Sequence, residues 1–215
     1  MKARPSDPIA PRLRLAYHGN HRSDSRPVYN GPMFFAIAIV LLVVLVVLWA
    51  VGVYNRLIKQ RNRIDTAWSQ VEVQLQRRLD LIPNLVETVK GYAGHELETF
   101  ERVTLARGAS NSASTPGEQA QADNFLTAAL RQLFAVSEAY PELRATENFQ
   151  RLQEDLSETE NKIAVSRQIY NDTVLRYNNT VQQIPTNFIA GVGGFEVREF
   201  YDANPDADEA PKVEF

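Results

Sequence analysis

An uninterrupted apolar stretch from Met33 to Val53 constrains this chain more than any other feature. It holds 21 residues without a charged or strongly polar side chain, and 15 of them are Phe, Ile, Leu or Val. As a helix that rises about 1.5 Å per residue, the stretch would reach roughly 30 Å, the thickness of a bilayer's hydrocarbon core. We therefore predict a transmembrane helix over residues 33–53, with the lipid bilayer as its partner.

Two other interpretations of this stretch are weaker. A cleaved signal peptide should have a shorter apolar region that ends in a small-x-small site, and Ala50-Val51-Gly52 is a poor version of one. A buried core helix is the weaker of these two interpretations, because this helix would be apolar on every face. We therefore expect an uncleaved anchor.

The two ends of the chain differ in charge. Residues 1–32 contain five prolines, six Lys or Arg and two Asp, so we predict a disordered basic tail. Because Met33 directly precedes the anchor, we expect some or all of the native protein to begin there rather than at Met1. Residues 186–215 are predicted to be an irregular acidic tail, with seven Asp or Glu against two Lys or Arg from Glu196 onward.

Residues 54–185 form the predicted folded domain, and they show helical periodicity. In the first part, apolar residues recur in steps of three or four up to about Arg107, across Pro83. We favour one long helix kinked at Pro83, with two helices joined by a turn at Asp80–Pro83 as the alternative. A polar loop is expected over Gly108–Pro116.

Two further helices follow this loop. Thr115 and Glu118 are spaced as a capping box at the start of a helix that should stop at Pro141. The last helix is predicted over about 146–184, because two columns of residues recur every seven positions, which is typical of a packing seam. The columns are Phe149, Leu156, Ile163, Tyr170, Tyr177 and Ile184, and Leu152, Thr159, Ser166, Thr173 and Thr180. The second column, mostly small hydroxyl residues, is expected to pack closely; the alternative is that it faces water.

Little in the sequence points to catalysis or metal binding. Cys is absent, which excludes disulfides and thiolate chemistry. His95-Glu96 begins like a zinc-protease helix, but Thr99 replaces the second histidine. We assign no function to three further motifs, which are the glycine-rich segment Gly191–Gly194, the neighbouring carboxylates of Glu158 and Glu160, and the sequons at Asn171 and Asn178. We predict no catalytic, cofactor-binding or metal-ligating residues.

Four basic residues follow the anchor directly: Arg56, Lys59, Arg61 and Arg63. They are expected to flank and orient the span, and binding of anionic lipid is a second interpretation. The formal net charge of the chain is only −3, so no global field indicates nucleic acid as a partner.

Several motifs resemble the LemA family over Met33 to Phe215. They are the segments 54–58, 61–63, 67–68, 73–92, 139–143, 156–164, 170–172, 177–178, 184–185 and 210–215. The resemblance implies a bacterial, N-terminally anchored protein whose domain is an antiparallel four-helix bundle without a catalytic site. The expected fold class is thus all-α, one transmembrane helix followed by a four-helix-type bundle of long helices. Residues 1–32 depart from the family pattern, because typical members begin close to the anchor.

The resulting functional hypothesis is a non-catalytic scaffold that presents a rigid bundle at the membrane. Expected partners are a second copy of the chain, a membrane protein or a membrane protease. The alternative is a lipid-binding or membrane-remodelling protein that uses the four basic residues and the segment 188–195; an enzyme with an unrecognised site comes third. The expected location is the bacterial plasma membrane with the domain outside the cytoplasm, which the resemblance favours, or inside as the alternative.

Overall fold

The computed structural model describes residues 31–202, with side chains from Met33 onward. Every regular element within these residues is an α-helix, which confirms the all-α class. The helices are α1 (Gly31–Lys90), α2 (Leu97–Ser112), α3 (Pro116–Glu138), α4 (Pro141–Arg144), α5 (Glu147–Gln182) and α6 (Thr186–Gly193). Residues 1–30 of the predicted basic tail lie outside the described residues, as does the end of the acidic tail beyond residue 202, whereas residues 31 and 32 already belong to α1.

The chain divides into two compact units, residues 1–44 and residues 45–215. The described part of the first unit is the beginning of α1, and its side chains from Met33 to Val44 are all exposed. The second unit contains the rest of α1 and all later helices. Among the described helices, α1 alone has an 18-residue stretch that is apolar enough to cross a membrane, and none of those 18 residues is buried.

The first helix runs through Pro83 without a break but ends at Lys90, so the prediction of a helix to Arg107 is wrong. Gly91 and Gly94 lie in the turn that follows, and glycine is a poor helix former. Ala93 reaches the core from this turn, which is why the apolar spacing continues across it. Leu97, the next residue of that spacing, is 71% exposed.

The next connection is shorter than the sequence suggests, because α2 continues to Ser112 and only residues 113–115 separate it from α3. The predicted capping box is confirmed. The Thr115 hydroxyl accepts the Glu118 N–H at 3.2 Å, and the Glu118 carboxylate accepts the Thr115 N–H at 3.2 Å. Both bonds satisfy backbone donors that a helix start leaves unpaired.

The long helix α5 buries most of its large heptad column. Phe149, Leu156, Ile163, Tyr170 and Tyr177 are buried, whereas Ile184 is 79% exposed because the helix has already ended at Gln182. In the small column, Thr159 and Thr180 are buried and the other three members are half-buried.

Two hydrophobic clusters fill the second unit. The distal core, nearer Lys90, joins residues of α1 to α5 and includes Leu85, Val103, Leu133, Leu143 and Phe149. The proximal core, nearer Val53, contains Leu57 and Val71 of α1, Ala120 of α3, Val174 and Tyr177 of α5, Ala190 of α6, and the later residues Phe195 and Tyr201. The two meet along α1 between Leu75 and Leu79.

The first part of the predicted irregular tail is more ordered than the sequence indicates. Residues 186–193 form α6, and Gly194 follows with φ of 67°, a left-handed conformation that glycine adopts without strain. Residues 195–202, named here the C-terminal strap, have no regular secondary structure but bury Phe195 and Tyr201 in the proximal core. The prediction missed this because neither aromatic residue belongs to a periodic pattern.

Candidate functional site

The helices α1 and α5 run antiparallel through the proximal core. Three contacts between them establish the direction: Arg78 to Glu160 at 3.8 Å, the rings of Trp68 and Tyr170 at 5.3 Å, and Gln60 Nε2 to Thr180 Oγ1 at 3.1 Å. From contact to contact, the residue number on α1 falls as the residue number on α5 rises. The C-terminal end of α5 therefore lies beside residues of α1 that directly follow its apolar stretch.

Two asparagines of α5 hold the C-terminal strap by its main chain. Asn178 donates to the Arg198 carbonyl and accepts the Arg198 N–H, both at 2.8 Å. Asn171 donates to the Tyr201 carbonyl at 3.1 Å and accepts the Tyr201 N–H at 2.9 Å. Each amide thus satisfies one donor and one acceptor of a backbone segment outside any helix.

A third residue of α5, Tyr170, also bonds the strap, because its hydroxyl donates to the Glu199 carbonyl at 2.8 Å. Burial raises the pKa of Tyr170 to about 12, so the phenol keeps its donor proton over the physiological range. We call Asn171, Asn178 and Tyr170 the clamp, and the sequence did not predict it. The available signal was the repeated Tyr-Asn dipeptide, at 170–171 and 177–178, whose seven-residue spacing places both asparagines on one face of α5.

The clamp positions α6 against the start of the folded part of α1. The rings of Tyr54 and Phe195 lie 5.3 Å apart, edge to face, and the Arg61 guanidinium lies 5.7 Å from the Phe195 ring. Any side chain at Gly193 would meet the rings of Phe195 and Tyr54, so glycine allows this close approach. Ala190 faces the core, whereas Phe188 and Val192 are 69% and 93% exposed.

A groove lined by basic residues runs between the same ends of α1 and α5. It has a volume of about 460 Å³. Its lining residues are Arg56, Lys59, Gln60, Arg63, Arg176, Asn179, Thr180 and Gln183. We call it the basic groove, because four of these residues carry positive charge and the others are neutral. The sequence pointed to the contribution of α1, but Arg176 was missed because it is 113 residues from Arg63 in the chain.

A buried ion pair lies at the junction of the two cores. The Arg78 side chain, 3% exposed, donates to Asp123 at 2.7 Å and to the Thr127 hydroxyl at 3.0 Å. Burial raises the pKa of Asp123 above its usual range, although Arg78 opposes this shift. The pair links α1 to α3.

The motifs set aside on sequence grounds have structural positions that explain them. His95 lies in the exposed turn after α1. Glu158 pairs with Lys162 and Arg77, whereas Glu160 reaches Arg78, so the two carboxylates have different partners. Gly191–Gly194 closes the C-terminal end of α6, where carbonyls rather than N–H groups are free, and that end disfavours phosphate.

Among residues 31–202, no group of three or more His, Cys, Asp or Glu side chains is arranged to hold a metal ion. The prediction that the chain has no catalytic or cofactor residues remains a prediction.

Over residues 31–202, fold and site define a class of protein: an all-helical protein with one candidate membrane helix and a helical domain covered on one side by the C-terminal strap. A family model for the LemA family matches residues 67–215. The chain therefore belongs to the LemA family, as its motifs indicate.

Curated relatives also match most of this chain. Magnetosome protein MamQ 2 of Paramagnetospirillum magneticum is 27% identical over 72% of this chain and 66% of its own length. Magnetosome protein MamQ of Magnetospirillum gryphiswaldense is 25% identical over 85% of this chain and 77% of its own. Protein LemA of Metamycoplasma hominis is 24% identical, with 78% of each chain covered. The chain thus spans about two thirds of the first of these relatives.

Proposed function

We propose that the protein is a non-catalytic, membrane-anchored scaffold that presents a rigid helical bundle to partner proteins or to a second copy of itself. The observation that carries this proposal is that α1 supplies both the exposed apolar stretch and part of the core of the domain. Within the second unit, Leu48 of α1 is 63% exposed and apolar, whereas Leu57 of the same helix is fully buried in the proximal core. Continuous helix between them would transmit the position of an anchor to the domain without a flexible joint.

The arrangement of the domain is part of the proposal. We infer a four-helix-type bundle of α1, α2, α3 and α5, because all four supply buried residues to the distal core. The similarity to magnetosome proteins named MamQ supports association with a membrane. We place residues 33–53 across the bacterial plasma membrane and the domain on its extracytoplasmic side.

The proposal requires a partner surface, and exposed apolar side chains identify where to look for it. Leu105 on α2 and Phe125 on α3 are both exposed, away from the anchor end of α1. A photo-crosslinking residue at either position in the full-length chain should give discrete adducts in native membranes. The same residue at the buried Leu133 is the matched control and should give none.

The identity of the adducts separates the proposed partners. Adducts that carry two differently tagged copies of the chain indicate a homo-oligomer, and mass spectrometry of other adducts names a membrane protein or protease. Absence of discrete adducts from every exposed apolar position would contradict the scaffold role. Recovery of the full-length chain in the supernatant after carbonate extraction would contradict the anchor.

A further inference from the structure

The end of the domain where α1 leaves its apolar stretch exposes apolar residues of α6. Phe188 and Val192 are four residues apart on α6, so they share one face of the helix. Both are exposed, as is Ile184 just before α6. Covering these exposed apolar side chains would be favourable, because apolar surface has a lower free energy when it is removed from water.

The position of α6 limits what that occupant can be. Phe195 packs against Tyr54, a side chain at Gly193 would meet the same ring, and Ala190 shares the proximal core with Leu57. These residues of α1 directly follow the stretch that the proposed function places in the bilayer. The apolar face therefore lies at the level where hydrocarbon gives way to headgroups, about one helical turn from the end of the span.

The basic groove lies at the same level and is positively charged. Arg56, Lys59 and Arg63 of α1 and Arg176 of α5 line a single groove, and no acidic residue is among the described residues that line it. Gln60 and Thr180, which bond across the two helices, fix its walls relative to each other. Basic residues close to a bilayer attract anionic headgroups, each by a factor of roughly five in local concentration.

From this combination we propose that α6 and the basic groove form a docking surface for an anionic bilayer. The Phe188 and Val192 side chains enter the boundary between headgroups and acyl chains, while the groove binds the phosphates of anionic lipids. This is the arrangement of an interfacial helix, with a polar side that carries cations and an apolar side that lies in lipid. The C-terminal strap holds α6 in place for this contact. The inference rests on the membrane anchoring in the proposed function.

The lack of native cysteine allows a direct test in the full-length chain. Single spin labels are attached at Val192→Cys, at Val47→Cys and at Val165→Cys, and the protein is reconstituted into vesicles. One set contains phosphatidylcholine alone and the other an equal mixture with phosphatidylglycerol. Accessibility to oxygen and to a water-soluble nickel complex reports the depth of each label. Val165 is the matched control, because it is an exposed valine on α5 far from α6.

We expect the label at 47 to lie in the hydrocarbon and the label at 165 to remain in water in both vesicles. The label at 192 should lie roughly 5–10 Å into the boundary region, and deeper in the mixed vesicles. A label at 192 that is as accessible to nickel as the one at 165 overturns the docking surface while leaving the anchor intact. A label at 47 in water overturns the proposed function itself.

A second measurement tests the groove separately. The preference of the protein for spin-labelled phosphatidylglycerol over phosphatidylcholine should fall roughly fivefold in Lys59→Gln, and by a similar factor in Arg176→Gln. Arg151→Gln removes the same charge from an exposed position on the other end of α5 and should leave the preference unchanged. Equal preferences in all three variants would show that the groove does not select anionic lipid and would overturn its part in the proposal.

Discussion

The distal and proximal cores of the second unit are closed in different ways. The distal core is surrounded by long helices, and its buried members are apolar side chains of α1, α2, α3 and α5 with Leu143 from α4 and Ala93 from the turn after α1. The proximal core lies mainly between α1 and α5, with one buried residue from α3, and its open side is covered by α6 and the C-terminal strap. Where helices are too few to enclose a core, main chain outside the helices has to complete it.

This difference determines what kind of interaction each core needs. Helices satisfy their own backbone, so the distal core can rely on apolar packing alone. The strap has no ladder of its own, and its backbone groups would lose water on docking without replacement. Asn171, Asn178 and Tyr170 supply that replacement. The proximal core is thus stabilised by directional hydrogen bonds as well as by burial.

The largest expected effect comes from the ion pair between the two cores. Asp123→Leu leaves the buried Arg78 guanidinium with only the more distant Glu160 carboxylate, which should lower the free energy of unfolding by about 3–5 kcal/mol. Hydrogen exchange of the full-length chain in lipid nanodiscs measures the two cores separately. We expect protection to fall in both, because the pair lies where they meet.

The double variant Arg78→Met with Asp123→Leu is the control for this prediction. It removes both charges and should recover most of the lost stability, because an apolar pair of similar size can replace a buried ion pair. Loss of protection in one core alone would show that the two cores unfold independently of the pair.

A smaller effect is expected from Leu133→Ala in the distal core. Leu133 is fully buried, and a Leu-to-Ala change in a packed core costs about 2–5 kcal/mol through lost burial and a residual cavity. Exchange in α2 and α3 should rise more than exchange in the strap. Leu105→Ala is the matched control on an exposed site, with an expected change within about 0.5 kcal/mol. Equal losses from the two variants would be inconsistent with the distal core as described.

The smallest of the three effects is expected at the clamp. Asn178→Ala removes both bonds to Arg198 and leaves two backbone groups without partners, so stability should fall by about 1–3 kcal/mol. Exchange should rise in residues 195–202 and remain unchanged around Leu133. The neighbouring Asn179→Ala, at an exposed position, should have little effect. Asn178→Asp keeps the acceptor but not the donor and should fall between the two; a strap that stays protected in Asn178→Ala would mean that burial alone holds it.

Sequence patterns predicted the parts of this molecule that depend on periodic burial or on local turn chemistry. The apolar stretch of α1, the capping box at Thr115 and the large column of α5 all belong to these categories. The end of α1 at Lys90 was missed because Ala93 maintains the apolar spacing through the turn.

The candidate site was harder to predict because its parts are distant in sequence. Asn178 and Arg198 are 20 residues apart in the chain. Lys59 and Arg176 line the same groove only because α1 and α5 are antiparallel. Polar side chains that bond to the backbone of another segment produce no periodic signal. The repeated Tyr-Asn dipeptide indicated a shared helix face, but not what would lie against it.

The two asparagines also fix the number of residues that the strap can have between its two bonding positions. Seven residues of α-helix advance about 10.5 Å, and three residues of extended chain advance about 10 Å, so Asn171 and Asn178 match positions 201 and 198 in register. Both amides bond only to main-chain atoms, and these bonds do not depend on which side chains the strap carries. Residue identity in the strap can therefore vary where packing allows, whereas inserting or deleting a single residue between 198 and 201 would prevent both amides from being satisfied at once.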